Sequence, residues 1–127
     1  MFHFLTPSNM LQVDLNEKYC QFIGSETIYM HWLPGMWYTE GAKAVADENK
    51  CYWFLDIIAS HQLSQQVVSN YFQVWRLIRE KGTRFEARCE DGDGKTLLVQ
   101  MIESTHFEHA MLTLWCVDRT IMVPSEY

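Results

Sequence analysis

The spacing of apolar residues along the chain changes once. Up to about residue 61 it is helical, and beyond residue 70 it becomes alternating. Leu11, Leu15, Tyr19 and Phe22 recur at helical intervals behind Ser8 and Asn9, two good N-cap residues, which predicts an amphipathic helix over 8–22 that stops at Gly24. A β-branched and aromatic run, Thr27 to Trp32, predicts a short strand, and Pro34-Gly35 turns the chain. Thr39 then caps a helix whose small residues Ala42, Val45 and Ala46 share one stripe. A further helix, Cys51 to His61 with Asp47 or Asn49 as its cap, aligns Tyr52, Leu55 and Ala59, and Phe54, Ile57 and Ile58 widen the stripe. A helix apolar around so much of its girth belongs at the centre of a small domain. Asp56 is the acid within it. Exposed, it completes the amphipathic pattern; turned inward, it needs Arg76, Lys43 or a tryptophan N–H as partner.

After a polar connection over 62–66, the run from Asn70 to Arg79 reads as a strand. The next, Arg84 to Glu90, alternates Phe85, Ala87 and Cys89 with charged neighbours. Asp91-Gly92-Asp93-Gly94 is a hairpin connection, because Asp-Gly accepts positive φ at little steric cost. The return strand is Thr96 to Ile102. A break over 104–109 precedes Met111 to Val117, and a tight turn at Asp118-Arg119 leads to Thr120–Val123, which Pro124 stops. Helices followed by hairpin-linked strands predict an α+β fold, with N-terminal helices packed on one face of a four- to five-stranded antiparallel β-meander. No repeat or linker divides the chain, so residues 1–127 are expected to form a single domain.

Composition narrows the function classes. The net charge of −6 provides no basic stripe for nucleic acid, and the acids are too scattered to imitate DNA, so no direct nucleic-acid binding is expected. Cys20, Cys51, Cys89 and Cys116 lie far apart without a C-x-x-C pair, and are expected to be reduced, buried, small apolar residues. The opening MFHFLTPSN has no basic region and no long apolar run. The longest apolar stretch, Tyr52 to Ala59, is too short for a bilayer, so a soluble cytoplasmic protein without membrane contact is expected. Five Trp, six Tyr and seven Phe exceed what a core of this size can cover, which places some rings at an edge or interface.

Candidate chemistry is sparse. Counted from Asp91, a calcium loop would need ligating side chains where Lys95 stands, glycine at Thr96 and glutamate at Ile102. His106 and His109 stand three apart, but no third ligand follows from the spacing, and no metal or other cofactor is expected. There is no G-x-S-x-G elbow, no phosphate-binding glycine loop and no cysteine beside an activating histidine. The remaining catalytic candidates are Asp56, His61 and Arg76, for a small enzyme with a pocket between the Cys51–His61 helix and the sheet. The stretch HWLPGMWYTEGAK, residues 31–43, points elsewhere. Trp32 is expected to pack back on the sheet, while Trp37 and Tyr38 lie nearest the turn and, with Glu40, form the predicted interaction surface. A homodimer through an edge strand at 120–123 is a further option.

The runs Tyr38–Lys43, Tyr52–Gln62, Phe72–Trp75, the Asp91–Gly94 turn and the closing Val123–Tyr127 resemble, in order and along most of the chain, a family of small single-domain proteins of unknown function found in bacteria, plasmids and phages. Where such proteins are expected to show a Thr-Asp-Phe core, this chain has Glu103 to Phe107 with His106 in place of the acid, which weakens a carboxylate site there. The resemblance implies no activity, cofactor or catalytic residue. Its link to mobile elements implies an accessory role, so the expected function is non-enzymatic binding of a host protein or complex. A host defence complex, inhibited in the manner of an anti-CRISPR, is one such partner.

Overall fold

A computed structural model describes residues 15–20 and 27–127. Most of the helix expected over 8–22, with its Gly24 stop, lies outside the described residues; Leu15–Tyr19 is a 3-10 helix rather than an α-helix. Among the described residues seven strands and three α-helices follow: β1 (Ile28–Met30), β2 (Trp37–Thr39), α1 (Glu40–Asn49), α2 (Tyr52–His61), α3 (Gln65–Val68), β3 (Phe72–Lys81), β4 (Arg84–Asp91), β5 (Thr96–Ile102), β6 (Met111–Val117) and β7 (Thr120–Met122). They form an α+β fold with one sheet in the order β1-β2-β7-β6-β3-β4-β5. Every neighbouring pair is antiparallel except β2 and β7, which run parallel.

The expected four- to five-stranded meander needs correction in three places. The sheet is mixed, and two short strands precede the helices. β6 lies beside β3 instead of continuing from β5. Burial agrees with that placement. Leu112, Leu114 and Cys116 are covered on one face of β6, and Thr113 and Val117 on the other, as suits the middle strand of the sheet. β5 exposes Thr96 and Val99 and takes the edge. β7, expected at an edge, pairs with β2 on one side and β6 on the other.

The helices lie on one face, where Phe54, Leu55 and Ile58 of α2 and Ala42, Val45 and Ala46 of α1 meet Trp75, Leu77, Phe85, Ala87, Leu112 and Leu114 of the sheet. Within this core Gln62 and Gln73 pair their amides at 2.8 and 2.9 Å, and Gln73 Oε1 also accepts the Trp75 indole N–H at 2.9 Å. A buried polar knot is tolerated because its donors and acceptors are matched. Cys51, Cys89 and Cys116 are buried as expected, whereas Cys20 is exposed.

Thr39 caps α1 as its sequence predicts, accepting from the Ala42 N–H at 3.2 Å. The cap of α2 differs. Cys51 occupies that position without a side-chain cap bond, while Asp47 and Asn49 belong to α1. A second group completes the start of α1. Glu126 accepts the Gly41 N–H at 3.0 Å, the Thr39 hydroxyl and the Val123 N–H at 2.9 Å. A carboxylate at a helix N-terminus satisfies orphan donors and complements the positive end of the helix dipole. The quoted runs Tyr38–Lys43 and Val123–Tyr127 therefore meet in space, as do Tyr52–Gln62 and Phe72–Trp75 through the glutamine knot.

Candidate functional site

The corner between β1 and β2 is built on a reverse turn. Leu33-Pro34-Gly35-Met36 closes with the Met36 N–H on the Leu33 carbonyl at 3.3 Å, and Gly35 takes φ +82°. Proline followed by a positive-φ glycine is the chemistry of a type II turn. Met36 is fully buried and His31 is 4% exposed, so these two plant the turn in the fold. Trp32, between His31 and the turn, is 74% exposed. The expectation that Trp32 packs back on the sheet is thus corrected: the buried anchors are its neighbours.

Asp56 holds this tryptophan in place. Its Oδ1 accepts the Trp32 indole N–H at 2.9 Å and His31 Nε2 at 2.8 Å. The Leu33 N–H donates to His31 Nδ1 at 3.0 Å, so Nδ1 carries no proton and Nε2 is the donor to Asp56. One carboxylate oxygen thereby fixes both a buried imidazole and an exposed indole. A tryptophan N–H was expected as partner only for an inward Asp56, yet the carboxylate, 44% exposed, takes it; His31, its second partner, was not expected and lies 25 residues away in sequence.

An aromatic array continues from this point. Tyr38 stacks on Tyr29 at 5.5 Å and meets the edges of His31 and Tyr52 at 6.3 Å each. Charged groups border the rings. The Lys43 ammonium lies 5.6 Å from the Tyr29 centroid and 2.7 Å from Asp47, which also accepts the Tyr52 hydroxyl at 2.6 Å. Lys43, with help from Tyr52, holds the Asp47 carboxyl below its ordinary range, while burial and Asp47 push the Tyr52 hydroxyl up. A shallow hollow of about 280 Å3 lies along Tyr29, Glu40, Lys43 and Asp47.

The three residues expected to form an interaction surface divide between two sides. Tyr38 is at the centre of the array just described, and Glu40 borders the hollow beside it. Trp37, 39% exposed, alternates to the opposite face of the sheet, where it stands across from Met30. The catalytic candidates have three separate sets of partners. Asp56 serves the corner. His61 donates to Gln100 at 2.7 Å and stacks on Trp75. Arg76 lies on the sheet face away from the helices, bonded to Glu90 at 3.2 Å and Thr113 at 3.4 Å.

His106 and His109 flank Phe107, a buried plug against Phe85 and Trp53 whose carbonyl is held by Arg79. Burial pulls His109 below the ordinary histidine value. A cleft of about 520 Å3 lies beside this loop, bordered by Trp53, His106 and Glu108. Among the described residues no three His, Cys, Asp or Glu side chains gather closely enough to hold a metal ion, and no helix is long and apolar enough to cross a membrane.

Tyr29, His31 and Tyr52 completed the corner without a signal in the sequence, since each joins it through a contact that spacing does not encode. No curated protein and no solved structure matches the chain. The profile of a family of unknown function, DUF6876, matches residues 13–127, and the chain belongs to that family.

Proposed function

We propose that this protein is a non-enzymatic accessory protein that binds a protein partner through the β1–β2 corner, with Trp32 as the anchor. The observation that carries this reading is the pairing of exposure and restraint at Trp32. A large ring stands mostly in solvent, yet its N–H is bonded to a carboxylate that is itself bonded to a buried histidine. Restraining an interface side chain before contact removes an ordering cost of about 0.5–1.5 kcal/mol from association. Tyr38, Tyr29 and Tyr52 add the aromatic surface favoured in interface hot spots, and Lys43, Asp47 and Glu40 add a polar rim.

The resemblance to proteins of bacteria, plasmids and phages makes a host defence complex the first partner to test. Immobilised wild-type protein, presented with lysate of the cell that encodes the chain, should enrich a specific protein or complex. Trp32→Ala should reduce that enrichment by about tenfold or more, the loss expected of a hot-spot tryptophan. Trp37→Ala, on the opposite face, should leave it within about twofold. A lysate in which nothing depends on Trp32 would sink the proposal.

A further inference from the structure

The far side of the sheet from this corner is closed by β5, which has no strand beyond it among the described residues. Its seven residues, Thr-Leu-Leu-Val-Gln-Met-Ile, contain no charge and no proline. Edge strands are normally blunted by lysine, proline, brevity or a bulge, because open N–H and C=O groups template pairing with another chain. Among the described residues two such devices are present, both near its start: the irregularity opposite Cys89 and Glu90, and Gln66 of α3, which holds the Leu97 carbonyl. The whole strand is roughly 23 Å long, and its stretch from Val99 to Ile102 carries neither device.

This edge complements itself. Set antiparallel to the same strand of a second copy, with the two-fold axis at Val99, it places Leu98 opposite Gln100, Leu97 opposite Met101 and Thr96 opposite Ile102. Just beyond the strand on each side, Lys95 of one copy stands opposite Glu103 of the other, and this happens twice by symmetry. Both residues are exposed, and among the described residues Glu103 has Arg84 at 4.0 Å as its ion-pair partner. Slipping the register by one step toward the Asp91–Gly94 turn sets Glu103 against Asp93, acid on acid. The opposite slip leaves Lys95 across from Thr105 and Glu103 across from Leu97. Only the Val99-centred register pairs both charges. Val99, 46% exposed on the face away from the helices, then meets its own copy.

We propose that β5 pairs with β5 of a second copy, antiparallel about Val99, to give a two-fold dimer with one continuous sheet. β1 and β5 are opposite edges, so the dimer carries its two Trp32 corners at its far ends and leaves both open. The pairing does not depend on what the corner binds.

Sedimentation equilibrium on the full chain, from micromolar to several hundred micromolar, tests this pairing. Wild type should rise from the 15.0 kDa chain mass toward twice that value. Val99→Lys sets two ammonium groups together at the axis and should leave a monomer throughout. Lys95→Glu or Glu103→Lys alone should weaken association by about tenfold, and the double reversal should restore it to within about threefold of wild type. Circular dichroism on each variant checks that these surface changes leave the fold intact. A wild-type mass that stays at 15.0 kDa overturns the proposal. So does a dimer that survives Val99→Lys, or a double reversal that does not recover.

Discussion

A methyl group added at Gly41 would lie 2.6 Å from Glu126 Oε1 and 2.8 Å from Val123 Cγ2. This glycine is needed for the space it leaves beside a carboxylate, since the residue is helical and its φ is ordinary. Alanine is the better helix former by about 0.8–1.0 kcal/mol, so propensity alone predicts that Gly41→Ala stabilises. Overpacking acts the other way and costs about 1–3 kcal/mol. We expect the collision to win, with a net loss of about 1–2 kcal/mol in urea unfolding. A raised midpoint would show that Glu126 moves aside freely. Asp56 was only half legible. Sequence can mark a carboxylate in an apolar run as needing a partner. It cannot supply the fold that brings His31 and Trp32 to it.

Elements with local causes were readable. α1 follows from Thr39 and a stripe of small residues, and the β4–β5 hairpin follows from clean alternation around Asp91, whose carboxylate accepts the N–H groups of Asp93 and Lys95 at 2.8 and 2.9 Å. β2 was missed because three residues become a strand only by pairing with β1 and with Thr120 and Ile121. α3 is a single turn inside a polar stretch, too short for periodicity to register. The β6–β7 turn was foreseen, but its strain was not. Asp118 and Arg119 sit at φ +48° and +65°, two positive-φ positions that a hairpin usually gives to Asn-Gly. The Arg119 carbonyl accepts the Trp37 N–H at 3.0 Å, which ties the strained turn to β2. Arg119→Gly keeps that bond and should raise stability by about 1 kcal/mol, read as a higher urea midpoint. A lower midpoint would mean that the Arg119 side chain, which reaches Gly35, contributes more than the strain costs.

For the whole molecule, burial raises the thiols of Cys51, Cys89 and Cys116 to about 12 from an ordinary 9.0. A raised pKa means that the folded state holds the proton more tightly. The contribution is therefore complete below pH 9 and fades as pH climbs toward about 12. Unfolding by urea should become easier above pH 9, and at pH 8 a thiol reagent should modify Cys20 while sparing the other three. Rapid loss of all four thiols at pH 8 would contradict the burial described. The parallel junction of β2 with β7 has a different consequence, one of timing. It closes a stretch of about 80 residues, and it does so on strands of three residues each. Little local structure rewards that closure, so the β1–β2 corner should dock last and open first. Amide exchange should accordingly be faster at Tyr29 and Tyr38 than at Trp75 and Leu114, and equal rates would refute the ordering. A partner that grips Trp32 would then be checking the workmanship of the entire chain, because the corner it recognises exists only once the remainder has been assembled.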